Sequence, residues 1–378
     1  MRSGRLRRQW GSWQHEATPI LIYQFSMEVE ERWDKPLMTT STKSSEIIEV
    51  RNAPPVPGLT FRRYRGEEDL PAFVKVYEAC REVDGFSWIV TLEELQNAYR
   101  HLLNCDPDRD VVVVEQDGEV IGYSQQNWVE ELDAIAFRHQ QYLRPEWRGR
   151  GVRKAMLHHC EARAREVAAG LPRDKPMQMS TWLCEDERAL IALLEEEGHS
   201  PARYFFEMVR DLREPIEGRP IPEGLEVRPV PEGDYSKVFF AANEANMDHW
   251  AGREWTEEDY EMFMNNPIID PALWVVAYDG DEVAGTVLNW VHVEENERLG
   301  RKWSYTEMIS VRRPYRGKGL AKALITRSMV MLKEMGMEMA NLGVDTENPS
   351  GALGLYTGLG YHTIKNYVIH RKDLGDGE

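Results

Sequence analysis

The chain has 378 residues, which at roughly 150 per domain leaves room for two domains or three. Hydrophobic residues make up 42% and charged residues 29%, a balance that excludes wholesale disorder. Asp and Glu number 64 against 46 Lys and Arg, and the net charge of −18 excludes a broad grip on nucleic-acid phosphates while favouring cationic small molecules such as amines.

No apolar run approaches the roughly 20 residues of a membrane span, so no membrane partner is expected. The cysteines are Cys80, Cys105, Cys160 and Cys184, with no CxxC pair among them. His158 and His159 adjoin Cys160, but adjacent residues on a helix point in different directions, so no metal is expected. A disulfide framework is unnecessary in a chain of this length, and cytoplasm is the expected compartment.

In chain order, residues 1–57 show no sustained period. Arg2, Arg5, Arg7 and Arg8 suggest an organellar presequence, but Glu28, Glu30, Glu31 and Asp34 follow quickly. The segment reads as a flexible arm, or as an upstream extension with Met38 as the natural beginning. Ala53-Pro54-Pro55-Val56-Pro57-Gly58 marks the boundary of the first folded unit.

From there the chain repeats itself. Leu59-Thr60-Phe61-Arg62 recurs as Leu225-Glu226-Val227-Arg228, and Thr91-Leu92-Glu93-Glu94 as Thr256-Glu257-Glu258-Asp259. Asn127-Trp128-Val129 recurs as Asn289-Trp290-Val291, and Arg148-Gly149-Arg150-Gly151 as Arg316-Gly317-Lys318-Gly319. The separations run from 162 to 168 positions, a steady offset that means two copies of one domain. The expected units are residues 58–213 and 225–374, joined by a Pro- and Gly-containing linker at 214–224.

Each copy has the same order of elements. An opening strand near Phe61 or Val227 precedes a helical stretch, then a hairpin turns at Asp117-Gly118 or Asp279-Gly280. A strand enters the RGxG segment and a helix leaves it. A fifth strand, a short helix and a final strand at Phe205–Val209 or Tyr367–Ile369 complete each copy. The expected class is α+β, with two tandem domains, each a central mixed, mostly antiparallel sheet flanked by helices.

In the second copy a strand ends at Val311 and a helix begins near Leu320, its apolar positions holding helical spacing until Gly336. Gly317 and Gly319 between them let backbone N–H groups converge on an anion at the positive end of the helix dipole, with Arg316 and Lys318 adding charge. The GxxxxGK[ST] spacing of a Walker loop is absent. The run Met329, Met331, Met335, Met337 and Met339 has the spacing of a core helix entering a strand, which favours packing over a soft-metal site.

Val311, Pro314, Arg316, Gly317, Gly319 and Ala321 together resemble the acetyl-CoA pyrophosphate loop of the GNAT superfamily of N-acetyltransferases. Asn348, Ala352, Leu355, Tyr356, Gly360 and Tyr361 are similar to its second signature. The resemblance covers nearly everything after the arm and implies acetyl-CoA as cosubstrate. It implies that pantetheine pairs with the backbone of Ile309, Ser310 and Val311, and that the pyrophosphate lies on amides of Arg316, Gly317, Lys318, Gly319, Leu320, Ala321 and Lys322. Tyr356 then matches the acid that protonates the departing sulfur, the alternative being a core tyrosine. Glu307 matches a common position for the base, the alternative being a structural carboxylate; by strand alternation it should face the same side as Ile309 and Val311. Asn348 either contacts CoA or caps the helix after Pro349.

The second copy contains no cysteine, so direct transfer in a ternary complex is expected rather than an acetyl-cysteine intermediate. The first copy keeps Pro145, Arg148, Gly149 and Gly151 but has Arg153 where the second has Ala321, Leu194 where it has Tyr356, Asp186 for Asn348 and His139 for Glu307. It reads as structural or substrate-shaping. The expected activity is transfer of an acetyl group to a primary amine of a small molecule, with an acceptor pocket including Asn246–Arg253, Trp250 and Trp255. A non-catalytic acetyl-CoA sensor or scaffold is the alternative from another class. The architecture, a tandem pair with an intact second half, is also similar to that of mycothiol synthases.

Overall fold

The computed structural model describes residues 47–247, 250, 252–348 and 351–375. The first half carries β1 (Leu59–Arg63), α1 (Leu70–Asp84), α2 (Leu92–Arg100), β2 (Val111–Gln116), β3 (Glu119–Glu130), β4 (Ile135–Leu143), α3 (Val152–Ala168), β5 (Met177–Cys184), α4 (Arg188–Glu196) and β6 (Ser200–Asp211). The second half repeats the order with β7 (Glu226–Val227), α5 (Tyr235–Asn246), α6 (Glu257–Met264), β8 (Trp274–Asp279) and β9 (Glu282–Trp290). An extra helix α7 (Val293–Leu299) follows, then β10 (Trp303–Val311), α8 (Leu320–Glu334), β11 (Met339–Asp345), α9 (Ala352–Thr357) and β12 (His362–Asp373). The α+β class and the doubled unit are as the sequence implies.

Local chemistry explains the repeat. Thr91 and Thr256 each accept a hydrogen bond from the amide three residues on, while Glu94 and Asp259 reach back to the threonine amide, so both matched segments are capping boxes. The first hairpin turns on Asp117 (φ 50°) and Gly118 (φ 85°), the two left-handed residues such a turn needs. In the second, Asp279 pairs with Glu282, so the turn is centred one residue later than expected, on Gly280-Asp281, with Gly280 at φ 59°.

All twelve strands form one sheet, in the order β1-β2-β3-β4-β5-β12-β6-β11-β10-β9-β8-β7. The last strands are exchanged. β12 pairs with β5 of the first half, and β6 pairs with β11 of the second, from Met339↔Asp211 to Asp345↔Phe205. β6 and β12 also pair with each other across the centre. Tyr367 and Ile369, late in the chain, therefore lie in the first half's core with Phe73, Val76 and Trp88. Met208 and Leu212 lie in the second half's core with Leu324, Ile325 and Leu342.

One face of the sheet carries α1, α2, α5 and α6; the other carries α3, α4, α8 and α9. Val276, Leu288, Tyr305 and Met308 pack on the α5 side, and Ile309, Val311 and Leu342 on the α8 side. Residues 47–57, expected as part of a flexible arm, pack against the first half. Ile48 N–H donates to Phe61 O (2.8 Å), and Val50 is buried with Val152, Ala155 and Met156. Pro54 lies 3.6 Å from the place a Cβ on Gly151 would take. The rest of the arm, residues 1–46, lies outside the described residues.

Candidate functional site

In the second half β10 and β11 are parallel and pair only from Trp303↔Met339 to Tyr305↔Asn341. Beyond that point the strands part, leaving a wedge with the main chain of Thr306 to Val311 on one wall. Ile309, Ser310 and Val311 are all buried along it, and the Ser310 hydroxyl pairs with Thr286 Oγ1 at 2.8 Å. At the C-terminal end of β10 the chain turns through Arg313–Tyr315 into Gly317 (φ 73°) and Gly319 (φ 82°), both in the left-handed region, and enters α8 at Leu320. No side chain caps α8, so the amides of its first turn, from Leu320 to Lys322, face outward at the positive end of a 15-residue helix. This suits a pyrophosphate.

The side chains of the turn also shape it. Arg316 Nε donates to Val311 O (2.9 Å) and Nη2 to Ala245 O (3.0 Å), which ties the turn to β10 and the end of α5. Its guanidinium thereby holds the loop's shape. Lys318 is exposed and lies 5.8 Å from the Tyr315 ring.

Glu307 sits where the register of β10 against β9 slips: Glu307 pairs with Leu288, but Ser310 pairs with Thr286. The extra residue is a β-bulge with Met308 at φ 43°. One inserted residue reverses alternation, so Glu307 faces the α5 side with Tyr305 while Ile309 and Val311 face α8. The expectation that all three share a side is corrected on that ground. Glu307 is 3% exposed; its Oε1 accepts from Gly343 N–H across the wedge (3.1 Å) and its Oε2 has no partner. Burial raises its pKa well above the usual carboxylate range; the Gly343 amide opposes this and the nearby Glu207 carboxylate adds to it.

Tyr356, on α9, is fully buried, its ring packed edge-on to Tyr361 with centroids 5.9 Å apart. Gly360 follows at φ 89°, and a Cβ there would meet Arg210 Nε at 2.7 Å. Asn348 is buried but does not cap α9: the N-cap position is Gly351, with no side-chain bond.

The expected acceptor segment lies in part outside the described residues, since Asp248, His249 and Ala251 are among those not described. Trp250 lies under Arg371 (4.3 Å) and Arg203 (5.8 Å), cations from the exchanged strands β12 and β6. Trp255 instead packs on Phe239 (4.7 Å) in the α5 core. One residue that the sequence reading passed over lies beside the wedge. Glu207 on β6 accepts from Asn341 Nδ2 (2.6 Å), Ser87 Oγ (2.7 Å) and Tyr367 Oη (3.0 Å). Its signal was available: a lone acid inside the apolar run Phe205-Phe206-Glu207-Met208-Val209.

The first half differs at each corresponding place. β4 pairs with β3 over nine residues without a slip, so it has no bulge. His139 therefore faces the α3 side, 5.9 Å from the His199 ring, and burial pushes its pKa down to about 3. It does not stand where Glu307 stands. Arg153 points inward, 8% exposed, toward Asp84 (4.0 Å). Arg148 is held bidentate by Asp84 (2.6 and 2.7 Å), and Leu194 is fully buried at the tyrosine's place.

His101, Glu258 and Glu261 bring ligand atoms within 4.8 Å of one another, but His101 Nδ1 is spent on Glu258 Oε1 (2.7 Å), a hydrogen bond joining the halves. Among the described residues, no helix is long and apolar enough to cross a membrane.

Comparison with known proteins agrees with this geometry. The model of the Acetyltransferase (GNAT) family matches residues 241–361, and that of the Acetyltransferase (GNAT) domain matches residues 107–201. A mycothiol acetyltransferase of Geodermatophilus obscurus is 28% identical over 260 residues, 67% of this chain and 79% of that protein. One from Streptomyces coelicolor is 26% identical over 270 residues, covering 68% and 77%. Among solved structures, a GCN5-related N-acetyltransferase from Sphaerobacter thermophilus superposes with TM-score 0.64 at 26% identity, over 85% of this chain and 98% of that one. A tandem GNAT protein from the clavulanic acid biosynthesis pathway superposes with TM-score 0.61 at 14% identity, covering 85% and 100%, a likeness of fold.

Proposed function

Since the chain is a tandem member of the GNAT family of acetyl-CoA-dependent acetyltransferases, we propose that it acetylates a primary amine of a small molecule, by direct attack within a ternary complex in its second half. The observation that carries this is the asymmetry between the halves. The second has the bulged strand, the small residue Ala321 at the helix entry and the buried tyrosine; the first has an unbulged strand, Arg153 and Leu194.

Acetyl-CoA supplies an activated acyl group whose thiolate must leave. On this reading the amides from Arg316 to Lys322 hold its pyrophosphate and the main chain of Ile309 to Val311 aligns its pantetheine, with Asn348 beside it. Glu307 takes the proton that the acceptor nitrogen must lose before it can attack. Burial raises its pKa well above the usual carboxylate range, so it serves as a base above that raised pKa or beside a cation that lowers it. Tyr356 gives its phenolic proton to the departing sulfur. Groups held in a buried site need less reorganisation during transfer.

The net charge of −18 suits a cationic acceptor. Relatives named mycothiol acetyltransferases support a small-molecule amine as the class. A panel of primary amines, with CoA thiol release as the readout, tests the proposal. Amine-dependent release that Tyr356→Phe abolishes supports it; binding of acetyl-CoA with no release by any amine returns the chain to a sensor or scaffold.

A further inference from the structure

β6, β11 and β10 lie side by side, and the middle strand carries a glycine at the level of two acids. Glu207 is directly opposite Gly343 in the β6–β11 register, and Glu307 reaches the same Gly343 from the β10 side through its amide (3.1 Å). Glu207, Asn341, Gly343 and Glu307 share the sheet face that carries α1 and α5. The Asn341–Glu207 bond lies on that face, whereas Met208, Leu342 and Val344 belong to the core on the other. Above Gly343, therefore, a strip without a side chain is flanked by two carboxylates.

Paired strands lie about 4.8 Å apart and β10 parts from β11 at this level, so the stems of the two acids stand roughly 10 Å or more from each other, and each glutamate can lean several ångströms inward. That gap fits one ammonium group. The bonding capacity of the acids agrees. A carboxylate offers about four acceptor sites. Glu207 uses three, on Asn341, Ser87 and Tyr367. Glu307 uses one, and its Oε2 is buried without a partner. Burying such an atom unpaired is costly unless a ligand completes it. Among the described residues the charged group that acts on Glu307 is Glu207 and no cation does so; the Tyr361 phenol, on which Glu307 acts in turn, belongs to the core on the other face.

We infer that Glu207 and Glu307 form a two-carboxylate cradle over Gly343 for the acceptor's ammonium group, with Glu207 the specificity-determining residue supplied by the first half's exchanged strand. The inference rests on the proposed reading of the second half as an amine acetyltransferase and adds to it the charge state in which the acceptor is recognised. It also assigns a purpose to the doubled chain: the second half's site is incomplete without β6.

The test compares n-butylammonium with the neutral n-butanol as probes, by calorimetric titration of the full-length chain. The cradle predicts binding of the cation and not of the alcohol, with affinity for the cation falling about tenfold or more in Glu207→Gln, as expected when a charge-assisted hydrogen bond is removed. Gly343→Ala, which puts a methyl group into the gap, should weaken the cation to the same degree, while acetyl-CoA affinity stays unchanged in both variants. Glu146→Gln, which removes an exposed acid, should leave the cation's affinity as it was. Equal binding of butanol and butylammonium, or unchanged cation affinity in Glu207→Gln, overturns the cradle. The two levels separate. Amine-dependent CoA release with an unchanged KM in Glu207→Gln removes the cradle and leaves the acetyltransferase reading standing. Charge-selective probe binding without any CoA release removes that reading and leaves the cation site.

Discussion

Tyr356→Phe separates chemistry from packing because the two effects differ in size. The ring is fully buried and meets Tyr361 edge-on at 5.9 Å, and phenylalanine keeps that contact and the volume. The variant loses one hydroxyl and whatever hydrogen bond it makes, a net cost of about 1 kcal/mol in stability. A domain with ordinary stability, about 5–15 kcal/mol, stays folded after such a loss. If the hydroxyl protonates the departing sulfur, the rate should fall by about 10²–10⁴, or roughly 2.7–5.4 kcal/mol of barrier at 1.36 kcal/mol per tenfold. The expected pattern is thus a small shift in urea midpoint, unchanged acetyl-CoA affinity and a large loss of kcat, measured as CoA thiol release under saturating amine. Turnover equal to wild type would refute the role of Tyr356. A loss of activity that tracks loss of folded protein would make the residue structural.

Glu307→Gln should reduce kcat/KM by about 10²–10⁴. Because the base acts unprotonated and burial raises its pKa, wild-type activity should rise with pH along a limb above the ordinary carboxylate range, and the pH profile of the Gln variant should lack that limb. Glu187, in the first half, is pushed up to about 8 by burial and the nearby Asp84 carboxylate. Between about pH 4.5 and 8 the folded state therefore holds a proton that the unfolded state has released, and stability falls as pH rises through that window. Glu187→Gln should match wild type near pH 4.5 and exceed it by a few kcal/mol, on the order of 3, at pH 8 in urea titrations; an equal difference at both pH values would contradict this. Ile369→Ala, late in the chain, should cost about 2–5 kcal/mol and speed amide exchange in β5 of the first half, whereas faster exchange confined to β10 and β11 would contradict the strand exchange.

What the sequence made legible was local. The Asp117-Gly118 turn, the Thr91 and Thr256 capping boxes and the Gly317–Gly319 entry to α8 each need particular residues at fixed spacing, and such signals survive without tertiary context. Two features that decide the site were not legible. The bulge at Met308 adds one residue to an apolar, alternating strand, which leaves the pattern plausible yet moves Glu307 to the opposite face from Ile309. The exchange of β6 and β12 is equally hidden, because both strands carry the same apolar pattern and either pairing satisfies it. The partners of the Arg316 guanidinium were hidden for a related reason: a side chain near a loop has several backbone carbonyls within reach, and spacing does not choose among them. Glu207 had a signal, an acid inside an apolar strand, but the strand was assigned to the first half, away from the site it adjoins.

The most direct measurement is a calorimetric titration of acetyl-CoA into the full-length chain and into Ala321→Arg, which gives the second half the residue that the first half has at Arg153. Ala321 is half-buried on the first turn of α8, so an arginine there sets a bulky side chain beside the amides proposed to hold the pyrophosphate. The account predicts binding to the wild-type chain and its loss, by about a hundredfold or more in Kd, in the variant. No binding to the wild-type chain at millimolar acetyl-CoA, or undiminished binding to Ala321→Arg, would contradict the placement of the cofactor in the second half.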